Sequence, residues 1–386
     1  MSDAHARRRK WLASALGRRL SQRDRALLDR ASRTLVDNIV PDAKTLPWHP
    51  LRGICPSHRN YKGIWNWDAA FHALAVSRWD RELAEEQVRI FLESQKPDGA
   101  FVDVLFSDGR VNEDFSKPPV FPWAYQQVHA RSGGDGFLRI AYPRFQAMAA
   151  FWEGKRGGTR DGLFHYGGKN PRFESGWDNS VRWDAHRKRM GQLWPIDLNC
   201  YMVMVYRALQ YMGGIAGDEP GCARWRAAEA ALIEAIEERL WDTSRACYVD
   251  VDRDGTPSTV LSPASFMPLF IGTASRTRAR AMAKLAADPR RFFPGMPTVS
   301  YDDPKYSSHL YWRGPAWLNV SWFSIKGLES YGYSDLASRL KDTILGWCAR
   351  NTDCLHEYYD TRTGAGLGAP SFGWTSSFVI EMILGD

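Results

Sequence analysis

Apolar residues recur with a helical period along nearly the whole chain, and the helices they predict come in pairs, which leaves few architectures open. Candidate helices run near 22–38, 67–79, 81–94, 119–133, 138–154, 196–213, 220–240, 262–272, 275–287, 315–331, 334–350 and 374–384. Pro119 lies near one start, Asp218 and Pro220 open another, and Gly213-Gly214 is read as the stop between them. In the pair 315–331 and 334–350, joined at Tyr331-Gly332-Tyr333, the first helix is the more apolar. A helix apolar all round is wrapped by its neighbours, whereas an amphipathic one keeps a wet face. Twelve helices alternating in this way close into an (α/α)6 toroid, so the expected fold class is all-α. The strand signal is confined to Ala246 to Val251, which with the following Asp252-Arg253-Asp254-Gly255 is read as a short hairpin in a connection.

The connections are unusual. Segments 50–66, 95–118, 156–195, 289–314 and 351–373 are long and rich in Gly, Pro, Trp and charge. Long ordered loops in a compact domain usually carry function. Gathered at one end of a toroid, they build a single pocket there. No low-complexity linker divides the chain, so the reading is a basic N-terminal segment over 1–20 and one catalytic domain over 21–386.

Composition narrows the function. The 386 residues include 17 Trp, 15 Tyr and 18 Phe. Indoles suit a pocket that stacks flat apolar faces against a ligand while ring edges donate hydrogen bonds. The net charge is +7, but much of the excess sits in Arg7, Arg8, Arg9, Lys10, Arg18, Arg19, Arg23, Arg25 and Arg30. No nucleic-acid-binding motif accompanies it, so no nucleic-acid partner is expected. Six scattered cysteines with no CxxC pair indicate neither a zinc cage nor a disulfide framework. The acidic run Asp250-Val251-Asp252-Arg253-Asp254-Gly255 lacks the closing Glu of a calcium loop and reads as a turn. No cofactor or metal is expected. No secretory signal or membrane span is evident, which points to the cytoplasm and to no membrane partner. The sequence leaves the existence of a homo-oligomer open.

Two loop segments carry carboxylates in surroundings suited to proton transfer. Glu174-Ser175-Gly176-Trp177-Asp178-Asn179-Ser180, followed by Val181-Arg182-Trp183, sets two acids, a Gly and two indoles within ten residues. Burial beside Trp177 would raise a carboxyl pKa, as a general acid requires. The plain alternative is that Asp178 caps a helix or pairs with Arg182. The second segment, Leu355-His356-Glu357-Tyr358-Tyr359-Asp360, leads through a glycine-rich run to Phe372-Gly373-Trp374. Its plain alternative is a surface turn with a stray Glu.

These segments, with Trp65-Asn66-Trp67-Asp68, Phe71-His72-Ala73 and Tyr311-Trp312-Arg313-Gly314, resemble glycoside hydrolase family 63 in order from about residue 50 to the C-terminus. Pro195-Ile196-Asp197-Leu198-Asn199 is similar to the related trehalases. The resemblance implies an (α/α)6 toroid and hydrolysis of an α-glycosidic bond with inversion, Asp178 being the acid and Glu357 the base. It also implies substrate contacts at Trp65, Trp67, Asp68, Gly176, Trp177, Arg182, Trp312, Arg313, Tyr358 and Trp374. Ser116-Lys117-Pro118-Pro119 departs from the many relatives with Gln before the prolines. Lys117 is therefore a glycone contact that adds a charge, or else a solvated helix-start residue.

The expected substrate is a small α-glucoside or α-mannoside. The basic segments Cys55-Pro56-Ser57-His58-Arg59-Asn60-Tyr61-Lys62 and Arg182, His186, Arg187, Lys188, Arg189 suit an anionic aglycone such as the glycerate of glucosylglycerate or mannosylglycerate. The alternative is an α-glucosidase or trehalase acting on a neutral disaccharide or oligosaccharide. More remote are a sugar isomerase or epimerase using paired His on the same toroid, and a binding protein without catalysis.

Overall fold

The structure is a computed structural model that describes residues 3–157, 162–185 and 190–385. The basic cluster at 186–189 lies outside the described residues. In chain order the helices are α1 Asp3–Ala15, α2 Gln22–Asp37, α3 Asn66–Val76, α4 Arg81–Glu93, α5 Phe121–Ser132, α6 Asp135–Lys155 and α7 Pro171–Ser175. After these come α8 Ile196–Ala216, α9 Glu219–Arg239, α10 Met267–Phe270, α11 Arg276–Ala287, α12 Leu318–Ser330, α13 Ser334–Arg350 and α14 Gly373–Leu384.

Helices α3, α5, α8, α10, α12 and α14 pack in that order around a ring, and α14 returns to α3 to close it. Outside them, α4 lies on α3, α6 and α9 on α8, α13 on α12, and α2 on α14. This is the expected (α/α)6 toroid. Composition decides which ring a helix joins. Every residue of α3 is buried, as is nearly all of α14, whereas α4 and α13 bury one stripe and wet the other. The buried Glu381 of α14 is neutralised by Arg78 at 2.8 Å and Arg131 at 2.8 Å. Phe71, Phe323 and Phe378 of three inner helices meet inside the ring, where truncating one Phe to Ala costs about 3–5 kcal/mol.

Two local readings are corrected. Gly213-Gly214 does not stop α8, which runs on to Ala216 and ends at Gly217 in the left-handed region. Packing against α9 and α6 overrides the low helix propensity of the two glycines. The helix expected at 262–272 is a 3-10 turn at Pro263–Phe266 followed by the short α10, because Pro263 and Pro268 supply no N–H. Part of the basic N-terminal segment folds as α1. Its Arg8 is buried against Ser32 and Asp29 of α2, and its Arg7 reaches Asp80 at 3.1 Å.

The pocket's position follows from connectivity. Connections from an inner to an outer helix are tight, as at 77–80, 133–134 and 331–333. Those from an outer to an inner helix are long, and they all arrive at the N-terminal ends of the inner helices. Strands β1 Gly63–Trp65, β2 Val104–Phe106 and β3 Val111–Asn112 form an antiparallel sheet that ties the first long loop to the second. Their brevity hid them from the sequence. Strand β4 Leu193–Trp194 pairs with β7 Val251–Asp252, and β5 Trp241–Asp242 pairs with β6 Cys247–Tyr248. The chain also turns back at Asp252–Gly255, where Val251 bridges Pro257 antiparallel, as the hairpin reading expected. Strands β8 Tyr358–Tyr359 and β9 Gly366–Leu367 shape the last loop. No helix among the described residues is long and apolar enough to cross a membrane.

Candidate active site

A cavity with about 530 Å³ of space, part of it open to solvent, lies at that end. Each of the five long loops supplies part of its wall. Pro56, Tyr61 and Trp65 come from the first and Lys117 from the second. Gly176 and Asp178 come from the third, Tyr311 and Trp312 from the fourth, and Glu357 and Phe372 from the fifth. Trp67 and Asp68 of α3 and Trp374 of α14 complete it.

The two principal carboxyls have contrasting surroundings. Glu357 Oε1 accepts from Tyr61 Oη at 2.9 Å, and Oε2 accepts from the backbone N–H of Ala369, also at 2.9 Å. Donors to a carboxylate favour its charge. They oppose the burial that pushes the Glu357 pKa up. Asp178 is also pushed up by burial, and its Oδ1 is buried without a hydrogen-bond partner. The fields of Lys117 and Arg172 hold part of that rise back. A buried carboxyl oxygen that lacks a donor is best satisfied by keeping a proton. Asp68 is deeper still, its pKa raised well above normal by burial and by the charge of Glu357, and its Oδ1 is likewise bare. The pocket thus holds one carboxylate fed by donors and two carboxyls ready to bond a ligand.

The indoles form a continuous wall. Trp312 stacks on Trp317 with centroids 3.9 Å apart and on Trp67 at 6.1 Å. Tyr311 holds φ near +44° and Ser371, beside Phe372, holds φ near +50°. Left-handed backbone of this kind in non-glycine residues concentrates at functional sites. Gly176 has φ +75°, and a Cβ there would lie 2.4 Å from the Trp67 ring. We expect Gly176→Ala to lower kcat at least tenfold, since displacing reacting groups by about 1 Å costs up to 10²-fold; steady-state kinetics beside a melting curve check it.

Of the residues expected at the site, Asp178, Glu357, Trp65, Trp67, Asp68, Lys117, Gly176, Trp312 and Trp374 line the cavity. Lys117 is no solvated helix-start residue. Its ammonium donates to the carbonyl of Phe173 at 2.5 Å and lies 3.7 Å from Asp103, whose pKa burial lifts to about 6. Four expected contacts lie elsewhere. Trp177 is fully buried behind Trp312, at 4.9 Å. Tyr358 stacks behind Trp317, at 4.7 Å. Arg182 is 1% exposed, gives four of its five N–H donors to Asp197 and Asp250 at 2.7–2.9 Å, and is not part of the cavity wall that holds Asp178. Arg313 pairs with Asp184 at 2.8 Å and donates to the carbonyl of Asn179 at 3.0 Å. With the Trp312 N–H on Asn179 Oδ1, it pins the turn that presents Asp178. Glu174 is likewise withdrawn, held bidentately by Arg156.

Sequence reasoning passed over Tyr61, Tyr311, Phe372 and Pro56 as pocket residues. Their only signal was membership of the aromatic loops already singled out. Removing the Tyr61 hydroxyl takes one donor from Glu357 and so raises its pKa. If Glu357 works as a base it must be ionised, so Tyr61→Phe is expected to move the acid limb of the kcat/KM profile to higher pH. A profile unchanged on its acid side would discard that coupling.

A closed double ring of helices around an aromatic cleft lined by carboxyls suits a glycoside hydrolase. The match to known proteins gives the family. The chain belongs to the family described as the mannosylglycerate hydrolase MGH1-like glycoside hydrolase domain, whose profile matches residues 61–375. A mannosylglycerate hydrolase from Rubrobacter radiotolerans is 26% identical over 85% of this chain and 92% of its own length. A periplasmic trehalase from Salmonella choleraesuis is 29% identical over 54% of this chain and 39% of its own. The crystal structure of the family 63 mannosylglycerate hydrolase from Thermus thermophilus in complex with Tris shares the fold. Its TM-score is 0.81 at 23% identity, covering 92% of this chain and 99% of that one.

Proposed function

We propose that the chain is an inverting α-glycosidase whose substrate is an α-glycoside of glycerate, mannosylglycerate or glucosylglycerate, with Asp178 as general acid and Glu357 as general base. The observation that carries the roles is the contrast between the two carboxyls. Glu357 is furnished with two donors that favour its charge, and Asp178 has a bare, buried oxygen that favours a proton. In the proposed reaction, Asp178 protonates the glycosidic oxygen as the bond to the anomeric carbon breaks. Glu357 takes a proton from the water attacking the opposite face, a geometry that places the two groups about 6.5–9.5 Å apart. Asp68 accepts from sugar hydroxyls, and Trp65, Trp67, Trp312 and Trp374 pack against the ring.

The anionic aglycone is supported by the charges around Asp178. The acid gives its proton to the oxygen that departs with the aglycone, so groups near Asp178 are the ones an aglycone meets. Of the two cations whose fields reach its carboxyl, Lys117 lines the cavity and Arg172 lies outside its wall. The family's description and the relatives named mannosylglycerate hydrolase agree with this. A neutral disaccharide is the second reading, favoured by the likeness to trehalases. An isomerase with paired His is not favoured, since no histidine lines the cavity among the described residues. The six free cysteines suit a reducing compartment such as the cytoplasm.

The test is a panel of mannosylglycerate, glucosylglycerate and trehalose, with the released anomer followed by NMR. The proposal expects the glycerate glycosides to be cleaved with β-configured sugar released first. Initial α-product would overturn inversion, and turnover of trehalose alone would overturn the glycerate assignment.

A further inference from the structure

The loop before Glu357 carries a cluster with no part in glycoside cleavage. Asp353, Cys354 and His356 each bring one potential ligand atom to within 4.8 Å of the other two. Cys354 Sγ lies 3.4 Å from His356 Nε2 and 3.5 Å from Asp353 Oδ2, and His356 Nε2 lies 3.5 Å from Asp353 Oδ2. Zinc bonds of about 2.3 Å to sulfur, 2.0–2.1 Å to imidazole and 2.0–2.2 Å to carboxylate, set tetrahedrally, place such donors roughly 3.3–3.6 Å apart. The three separations match the edges of such a tetrahedron.

Two further features suit a ligand set. The His356 ring is fixed in place, since it packs where Gly366 has no side chain and a Cβ there would lie 2.1 Å from its Cδ2. Asp353 is 71% exposed, which leaves the fourth corner open to water or to an incoming ligand. Sulfur and imidazole together select a borderline-soft cation over magnesium or calcium.

We propose that Asp353, Cys354 and His356 form a surface site for a thiophilic divalent cation of the zinc class, bound through one thiolate, one imidazole and one carboxylate, with the thiol proton released to solvent. The site does not depend on the glycosidase reading, and no catalytic step passes through it.

The experiment titrates metal-free full-length protein with Co²⁺ and then displaces it with Zn²⁺. The expected result is a saturable sulfur-to-cobalt charge-transfer band at one ion per chain, removed by zinc. Cys354→Ser should lose the band, and His356→Ala should bind at least tenfold more weakly. Cys222→Ser, which alters the other partly exposed cysteine, should keep it. A wild-type protein with no saturable band, or the same band in Cys354→Ser, would overturn the proposal. A second measurement needs no variant: zinc should slow alkylation of Cys354 but not of Cys222, read by mass spectrometry. Equal rates with and without zinc would also overturn it.

Discussion

Glu357→Gln and Asp178→Asn should each lower kcat on a natural glycoside by about 10²–10⁴-fold, the usual worth of a positioned acid or base. The melting point should hardly change, because neither carboxyl pairs with a cation among the described residues. Glu357→Gln removes a charge that burial already disfavours, and Asp178→Asn replaces a carboxyl that burial already inclines to keep its proton. The two variants separate on a glycosyl fluoride, whose leaving group departs without a proton. Asp178→Asn should keep most of its activity there, while Glu357→Gln, unable to activate water, should remain impaired. Comparable rates for wild type and either variant on the glycoside would end the proposed assignment, and equal impairment on the fluoride would end the division of roles.

The second large effect is on stability. Arg182→Met should lower the unfolding free energy by about 3–5 kcal/mol, because it leaves Asp197 and Asp250 buried and charged without their partner. For 386 residues, at roughly 2.1 cal/mol/K each, that is a fall of about 4–6 °C in melting temperature. The arginine joins three elements. These are the turn after Asp178, the start of α8 through Asp197, and the strand region at Asp250, which also accepts from the N–H of Ile196 at 3.0 Å. A triple variant with apolar residues of similar volume at all three positions should recover much of the loss. Had Arg182 been a substrate ligand, Arg182→Met would instead raise KM at unchanged melting temperature, and calorimetry beside kinetics distinguishes the two.

The same arginine marks where sequence reading stops. Arg182 stands beside indoles in a motif rich in chemistry, and nothing local distinguishes a ligand-facing guanidinium from one consumed by carboxylates. Its partners lie 15 and 68 positions away. Arg313 and Glu174 misled or distracted for the same reason, being claimed by Asp184 and Arg156. Helices were far more legible. A period of 3.6 is a local property, so most of the predicted spans, such as 334–350, agree with the structure to within a few residues. The exceptions are informative. The two glycines inside α8 and the arginine-rich α1 are helical through packing and ion pairs that no window of sequence contains.

Read alone, the sequence determined the alternation of wrapped and amphipathic helices, hence the double ring, and it identified the five long loops and the acidic and aromatic residues they carry. These depend on short-range pattern and side-chain chemistry. Only the tertiary structure decided which loop residues face the cavity. It turned Tyr61 and Tyr311 inward, and it withdrew Trp177, Arg182, Arg313 and Tyr358 into supporting layers. It also gave Glu357 its two donors and left Asp178 Oδ1 with none. The direction of a side chain in irregular backbone is set by left-handed residues, short strand pairings and ion pairs between distant segments, so it exists only once the ring has closed.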